Sequence, residues 1–283
     1  MLRKVLALAA ILGACAAPAL AATTQLDPKT TPRWSFSGPF GMYDQNQLQR
    51  GFKVYTEVCS QCHSINYITF HDLGAPGGPF WSSKYPNPND NPVVKAIAAS
   101  WPRQVPDVDS DTGDAIHRPA TTADHLTPPF PNDAAARASN GGALPPDMSL
   151  LVAAREGGPN YVYSIVSGFV PAPTGLNVPA GKYYNPYFPG DLTSNWTGDP
   201  AKTPQGGLIS MPPPLAPGKV TFDDGTPSTL DQEARDVSAF LTWASDPKME
   251  ERKQIGLSVM IYLVLFTGLL YASYRRIWRD VAH

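Results

Sequence analysis

The sequence contains little cysteine and no regular strand pattern. Only three cysteines occur in 283 residues, and one of them, Cys15, lies in an apolar N-terminal stretch. Cys59 and Cys62 alone are too few for a tetrathiolate zinc site, which needs four sulfur ligands. The chain also has no internal repeat, no clean linker and no convincing alternation of apolar and polar residues. These absences favour one domain with long loops.

The other two cysteines belong to the run Cys59-Ser60-Gln61-Cys62-His63, which is the attachment pattern of a c-type haem. Each thiol can add to one haem vinyl group, and the adjoining imidazole can bind the iron. A redox dithiol is the alternative, but the adjacent His63 and the surrounding Ser and Tyr residues do not resemble a thioredoxin-like βαβ context. The pattern therefore predicts one covalent haem c, attached at Cys59 and Cys62, with His63 as an iron ligand.

The N-terminus has the three parts of an export signal. Two basic residues precede the apolar run 5–14, and residues 19–21 read Ala-Leu-Ala, which has the form of a cleavage site. The run is too short to cross a bilayer. We therefore predict a signal peptide at residues 1–21, whose removal takes Cys15 with it. Lipidation at Cys15 stays open as an alternative, because the preceding residues loosely resemble a lipoprotein processing site.

A second apolar stretch lies near the C-terminus. Residues 255–274 carry no charge, and at 1.5 Å per residue they match the roughly 30 Å of hydrocarbon in a bilayer. A basic cluster follows, and the positive-inside rule assigns the C-terminus to the cytoplasm. We predict an exported haem domain at residues 22–250 and a single-pass anchor at residues 251–283 of the bacterial inner membrane, with the haem domain in the periplasm. The basic cluster is Arg275, Arg276 and Arg279.

Helix signals occur at three places. Asp44 can cap a helix that runs directly into Cys59. The segment 147–170 predicts two short helices separated near Gly157-Gly158-Pro159. Thr229 begins a third helix and has capping-box form. The pattern predicts a mainly α, single-haem cytochrome c-like domain with long Pro/Gly-rich loop insertions and one C-terminal transmembrane helix.

The second iron ligand is a methionine or a histidine. After the methionines of the leader, of the stretch before the first helix and of the anchor are set aside, Met148 and Met211 remain. Three prolines follow Met211 and can hold its thioether in a rigid loop, so Met211 is favoured. A methionine ligand raises the reduction potential relative to a second histidine. Three histidines stay open as alternatives: His71, His117 and His125.

Further motifs follow the haem-binding run in a fixed order. They include Pro145-Pro146-Asp147-Met148, Arg155-Glu156-Gly157-Gly158, Met211-Pro212-Pro213-Pro214 and Asp223-Asp224-Gly225. In this order, and together with the apolar C-terminal span, they resemble the cytochrome c1 family, the haem subunit of the quinol–cytochrome c oxidoreductase (bc1) complex. The resemblance covers most of the chain after the leader.

The resemblance implies a role for each matching residue. Met211 becomes the iron ligand opposite His63, and Arg155 pairs with a haem propionate. The insertion at residues 74–140 matches the family poorly, and we assign no ligand in it. The loop at residues 171–207 lacks the cysteine pair of some bacterial relatives, so its aromatic residues and prolines must hold it. The remaining pocket residues are Tyr161, Pro145 and Pro146.

The resemblance also implies electron transfer without a catalytic site of the chain's own. The electron comes from the Rieske iron–sulfur protein and leaves to a c-type cytochrome, while quinol chemistry takes place in other subunits, including cytochrome b. The implied assembly is a dimeric membrane complex, and no nucleic acid is involved. Alternatives are a peroxidase with an open iron position, a gas sensor of the cytochrome c′ kind and a membrane-anchored cytochrome that serves a different enzyme.

Two acidic patches can steer a cationic partner towards the domain. One is the run that contains Asp107, Asp109, Asp111 and Asp114, and the other is the pair Asp223 and Asp224. For either patch taken alone, a solvated acidic loop that binds no partner explains the sequence at least as well.

Overall fold

The structure is a computed structural model that describes residues 32–280. The predicted signal peptide at residues 1–21, and with it Cys15, lies outside the described residues. The described part is mainly helical, in agreement with the predicted fold class. Its helices are α1 (Gln45–Glu57), α2 (Phe70–Gly74), α3 (Pro92–Ala99), α4 (Asp133–Ser139), α5 (Pro159–Ser167), α6 (Leu230–Ser245) and α7 (Met249–Ile277).

Helix α1 leads into the haem-binding run, as its sequence predicts. The Asp44 side chain accepts a hydrogen bond from the backbone N–H of Gln47 and so caps the first turn. The helix ends at Glu57, and a 3-10 turn over Cys59–Gln61 follows at once. The apolar side of α1 is buried, and its buried residues are Leu48, Gly51, Phe52, Val54 and Tyr55.

Helix α6 packs across α1 and forms the centre of the main core. Its Phe240 ring lies 5.5 Å from the ring of Phe52 and 5.7 Å from that of Tyr55, measured between centroids. Thr229 caps α6 by accepting from the backbone N–H of Gln232. The second half of the predicted capping box does not form, because the Gln232 side chain instead donates to the carboxylate of Asp236.

One helix predicted in the segment 147–170 does not form. Residues 150–158 make successive turns, and the segment contains one helix, α5. The Asp147 side chain accepts from the backbone N–H of Ser149, which holds the backbone in a turn where a helix would otherwise begin. Gly157 and Gly158 then have φ values of 87° and 53°, which α-helical backbone does not allow.

Four short strands form two antiparallel pairs. Strands β1 (Val105–Val108) and β2 (Ala115–Arg118) make a hairpin in the insertion, with Val105 opposite Arg118. Strands β3 (Tyr183–Asn185) and β4 (Gly207–Ile209) pair with Tyr183 opposite Ile209. The predicted loop at residues 171–207 contributes most of a small separate core, in which two aromatic residues pack with leucine and valine; support by its prolines stays a prediction. That core contains Leu176, Tyr184 and Leu192, with Val178, Trp196 and Leu208 packed against them.

Helix α7 is long and apolar enough to cross a membrane, and its side chains are exposed along almost its whole length. It extends beyond the predicted span of residues 255–274 at both ends. Only residues 246–248 separate it from α6. Two side chains of its first turns, Glu250 and Lys253, bond the chain before α1. Glu250 accepts from the backbone N–H of Tyr43 at 2.7 Å, and the Lys253 ammonium donates to the carbonyl of Phe36 at 2.7 Å.

Candidate haem site

The haem-binding run is folded into one tight turn. The backbone N–H groups of Cys62 and His63 both donate to the carbonyl of Cys59, at 3.1 and 2.9 Å. The Tyr55 hydroxyl donates to the carbonyl of His63 at 3.2 Å, so the end of the turn is tied back to α1. Cys62 is exposed and Cys59 is half-buried, whereas only 8% of His63 is exposed.

The imidazole of His63 is held in one orientation by a backbone carbonyl. Its Nδ1 lies 2.8 Å from the carbonyl oxygen of Pro146. Because a carbonyl only accepts, Nδ1 carries the proton and Nε2 keeps its lone pair. Burial lowers the pKa of His63, against the opposing effect of the hydrogen bond to Pro146. A neutral imidazole with a free Nε2 is the form that binds iron.

The carboxylate of Asp147 joins the turn to the segment that carries Pro146. One of its oxygens accepts from the Ser64 hydroxyl at 2.7 Å and from the backbone N–H of Asn66 at 2.9 Å. The other accepts from the backbone N–H of Ser149 at 2.9 Å. The backbone N–H of Met148 also donates to the carbonyl of Ser64 at 2.8 Å. These bonds fix the carbonyl that orients His63.

A guanidinium from the long insertion supports the turn on its other side. Arg103 donates to the carbonyl of Ser60, and its guanidinium carbon lies 5.8 Å from the ring centroid of Trp101. Burial lowers the pKa of Arg103. Its Nη1 is buried and has no hydrogen-bond partner within residues 32–280. The insertion thus contributes a half-buried cation that bonds the haem-binding turn at Ser60, between the two cysteines.

The thiol of Cys59 does not have the properties of a redox thiol. Burial, with a smaller contribution from the charge of Cys62, raises its pKa to about 12. A reactive dithiol needs a lowered pKa, because the thiolate is the attacking species. The turn therefore fits a pair of sulfurs consumed in thioether bonds better than a dithiol that exchanges.

The candidates for the second iron ligand differ in their surroundings. Met211 is half-buried and follows β4 by two residues, outside both apolar cores. Met148 is buried in the main core. His117 lies on the exposed strand β2 and His125 is also exposed, whereas a haem ligand has to be enclosed with the iron. His71 is half-buried in the short helix α2.

The remaining predicted pocket residues lie at three places in the chain. Pro145 is half-buried and Pro146 is exposed, and both belong to the segment tied to the haem-binding turn. Tyr161 is half-buried on α5 and packs against the main core. Arg155 is exposed, and its Nη1 donates to the carbonyl of Ala154 at 3.3 Å. Of these residues, Pro146 bonds the haem-binding turn directly, through its carbonyl and His63.

This set of donors fits haem c. Two thiols three positions apart and one buried imidazole with a free Nε2 are the groups that the cofactor needs for attachment and for one axial bond. Within the described residues, histidine, cysteine, aspartate and glutamate form no group of three or more that could hold a metal ion by itself.

Three contributions to the site could not be read from the sequence. The acceptor for His63 is a backbone carbonyl, which every residue possesses. Asp147 belongs to a recognised motif, but its bonds to Ser64 and Asn66 span more than eighty positions. Arg103 lies in the insertion that matches no motif. The only local signal for it is its position beside Trp101, which predicts a stacked cation and not its partner.

Comparisons with known proteins identify the family of the chain. Residues 34–281 match the Cytochrome C1 family. A cytochrome c1 of Rhodospirillum rubrum is 42% identical over 266 residues, which cover 88% of this chain and 87% of the relative. A cytochrome c1 of Blastochloris viridis is 38% identical over 298 residues, covering 99% and 97%.

A longer relative and a mitochondrial relative extend the comparison. The cytochrome b/c1 of Bradyrhizobium diazoefficiens is 40% identical over 267 residues, and the chain spans 35% of its length. The relative from Solanum tuberosum, named as a mitochondrial heme protein, is 38% identical over 243 residues, covering 86% of this chain and 82% of the relative. The family match and these identities agree with the prediction of haem c as cofactor. The chain belongs to the cytochrome c1 family.

Proposed function

We propose that this chain is the electron-transfer haem subunit of a quinol–cytochrome c oxidoreductase (bc1) complex. In this role it accepts an electron from the Rieske iron–sulfur protein and passes it to a c-type cytochrome. The observation that carries the proposal is the buried imidazole of His63, oriented by the Pro146 carbonyl, within the attachment run of a cytochrome c1 family member.

Each predicted site residue has one task in this proposal. Cys59 and Cys62 would hold the haem through two thioether bonds, and His63 and Met211 would hold its iron. Arg155 pairs with a haem propionate. Tyr161, Pro145 and Pro146 line the pocket. The exposure of Arg155 is compatible with a partner at the haem edge, since its only bond within residues 32–280 is to the adjacent carbonyl.

The chain's own residues would act on the iron by orienting the imidazole of His63. When bound, haem c supplies an iron that alternates between the ferric and ferrous states. The Pro146 carbonyl keeps Nε2 of His63 deprotonated, and the bonds of Asp147 keep that carbonyl in position. A thioether from Met211 favours the ferrous state relative to a second imidazole, so the couple has a high potential. Because His63 and Met211 would both be used to hold the iron, we propose no catalytic site in this chain.

We further propose that α7 anchors the haem domain at the periplasmic face of the bacterial inner membrane, with the C-terminus in the cytoplasm. The apolar length of α7 and the basic cluster at its end support this orientation. The partners in the membrane are cytochrome b and the Rieske protein, within a dimeric complex. Cleavage after Ala21 and the boundary at residue 250 remain predictions.

The proposal is tested by a potentiometric titration of the haem in membranes, comparing wild type with Met211→Leu and Met148→Leu. We expect a high-potential couple that falls steeply in Met211→Leu, with loss of the strong-field haem spectrum. Met148→Leu is the matched control, because it removes the other candidate sulfur while keeping a similar volume in the core. An unchanged couple in Met211→Leu would exclude Met211 as ligand, and a loss confined to Met148→Leu would assign Met148 instead.

Co-purification separates this proposal from the nearest alternative, a membrane-anchored cytochrome that serves a different enzyme. Under the proposal, the chain isolated in mild detergent carries a cytochrome b and a Rieske protein with it. Isolation with another dehydrogenase or oxidase, and without these two proteins, would contradict the bc1 assignment.

A further inference from the structure

An uncharged loop before α1 lies beside the start of the anchor helix. From Trp34 to Tyr43 the chain has no charged side chain. Two of its apolar residues are exposed to an unusual degree: Phe40 by 76% and Met42 by 57%. Large apolar side chains that project together from a domain mark an interaction surface.

The base of this loop is rigid. Phe36 is buried, and its ring lies 5.4 Å from that of Trp34 and 5.3 Å from that of Tyr43. The Tyr43 hydroxyl donates to the carbonyl of Asp246 at 3.2 Å. The ordered base and the exposed tip show that Phe40 and Met42 are held out from the domain by packing around them.

The loop is fixed at the level where the membrane should begin. The Lys253 ammonium donates to the carbonyls of Phe36 and Gly41, at 2.7 and 2.9 Å. Lys253 precedes Ile255, the first residue of the uncharged span, by two positions. At 1.5 Å per residue this is about 3 Å along the helix, which is less than the thickness of the headgroup region.

A second loop, residues 75–81 after α2, also lies near the first turn of α7. A β-carbon at Gly77 would lie 3.7 Å from the carbonyl oxygen of Pro247 and 3.9 Å from a carboxylate oxygen of Glu250. This loop ends at Trp81, which is 39% exposed and whose carbonyl accepts from the Gln45 side chain at 2.7 Å. Tryptophan is enriched at membrane–water interfaces, because its ring combines an apolar body with an N–H donor.

We infer that Phe40, Met42 and Trp81 form a second membrane contact, in which they enter the headgroup region of the leaflet beside the haem domain. We call these three residues the interfacial patch. The inference rests on the proposed anchoring by α7. Lipid is the occupant that we assign, because the loop that carries Phe40 and Met42 is bonded to Lys253, two residues before the uncharged span begins. The exposed Lys84 next to it suits anionic headgroups.

The test uses photocrosslinking of the full-length holoprotein in its native membranes. Phe40→p-benzoylphenylalanine is irradiated, and its adducts are identified by mass spectrometry. Tyr67→p-benzoylphenylalanine is the matched control, since Tyr67 is also a strongly exposed aromatic residue (67%) but lies beside the haem-binding turn. An unchanged haem spectrum verifies folding of each variant. We expect lipid adducts at position 40 several-fold above those at position 67.

Two variants in the span test the anchoring separately. They are Val264→p-benzoylphenylalanine and Phe266→p-benzoylphenylalanine. The two positions are two residues apart and therefore lie on different sides of α7. Lipid adducts at either position, with none above the Tyr67 level at position 40, would overturn the interfacial patch and leave the anchoring intact. Crosslinks from position 40 mainly to another polypeptide would also overturn it, and would identify a subunit contact. Absence of lipid adducts at positions 40, 264 and 266 would overturn the anchoring and the patch together.

Discussion

Gly51 of α1 lies directly against the backbone carbonyl of Asp236 of α6. A β-carbon at this position would overlap that carbonyl oxygen and would lie 2.7 Å from the β-carbon of Phe240. Helix α1, which leads into the haem-binding turn, therefore crosses α6 at a point where no side chain fits.

We expect Gly51→Ala to destabilise the haem domain by about 1–3 kcal/mol, because the helices must separate to admit a methyl group. The measurement is thermal unfolding of the detergent-solubilised protein, followed by haem absorbance. Gly256→Ala is the control: it also lies in a helix, but no described heavy atom would lie within 4 Å of its β-carbon. A Gly51→Ala variant as stable as wild type would show that the crossing can relax.

The carboxylate of Asp147 gives a second prediction. Asp147→Ala removes the acceptor for the Ser64 hydroxyl and for the backbone N–H groups of Asn66 and Ser149. We expect a loss of about 2 kcal/mol, since donors that were bonded in the native state are left without a partner. The haem spectrum should also broaden as the Pro146 carbonyl loses its support.

The graded control for this prediction is Asp147→Asn, which keeps one acceptor oxygen. We expect its unfolding temperature to lie between those of wild type and Asp147→Ala. Equal effects of the two substitutions would mean that the charge of Asp147, and not its hydrogen bonds, stabilises the turn.

A buried ion pair between α1 and α6 gives a third prediction. The Asp236 carboxylate is fully buried and lies 2.7 Å from Nε of Arg50. Arg50→Gln should cost about 3–5 kcal/mol, because it leaves an uncompensated charge in the core. The same guanidinium also contacts the exposed Asp224 at 2.8 Å. Asp224→Asn is therefore the matched control and should change stability by less than about 1 kcal/mol.

Urea unfolding of these two variants measures the difference. If Asp224→Asn lowers the free energy of unfolding as much as Arg50→Gln does, Arg50 stabilises the protein mainly through its surface pair with Asp224 and not through its buried pair with Asp236.

The two acidic patches are expected to act unequally on a cationic acceptor. Asp223 pairs with Lys53 at 2.6 Å and Asp224 pairs with Arg50, so their local fields are partly cancelled. At the tip of the β1–β2 hairpin, Asp109, Asp111 and Asp114 have no lysine or arginine partner within residues 32–280. On the proposed function, we therefore expect the hairpin to attract a basic c-type cytochrome more strongly than the pair Asp223 and Asp224.

We expect replacement of these three hairpin aspartates by asparagine to lower the rate constant for electron transfer to that acceptor about tenfold at low ionic strength, with little effect in high salt. The control is the double variant Asp223→Asn/Asp224→Asn. The rate constants are measured by stopped-flow kinetics as a function of salt concentration. If the decrease in rate constant per charge removed is the same for the hairpin variant and for the control, a localised docking patch is contradicted.

The local features of this molecule could be predicted from its sequence. The helix that begins after Asp44, the haem-binding turn and the long apolar α7 each depend on residues close together in the chain. The first of the two short helices predicted in the segment 147–170 does not form, and the reason is also short-range: the Asp147 side chain accepts from the backbone N–H of Ser149 and competes with helix formation.

The support of the site could not be predicted, because it is long-range. Nothing near Arg103 indicates that it contacts Ser60, and nothing near His63 indicates that it bonds a carbonyl 83 positions away. Such pairings depend on how the insertion and the proline segment fold back onto α1. Sequence patterns describe periodicity and caps, and they contain no information about which backbone carbonyl a side chain will meet.

The junction between α6 and α7 has a consequence for the timing of electron flow. Three residues join the two helices, and Glu250 and Lys253 bond the chain on either side of the loop before α1. These contacts therefore restrict rotation of the haem domain relative to α7. On the proposed function, the travel between donor and acceptor has to be performed by the partners, and the turnover of the relay is set by their diffusion and residence times at a stationary haem.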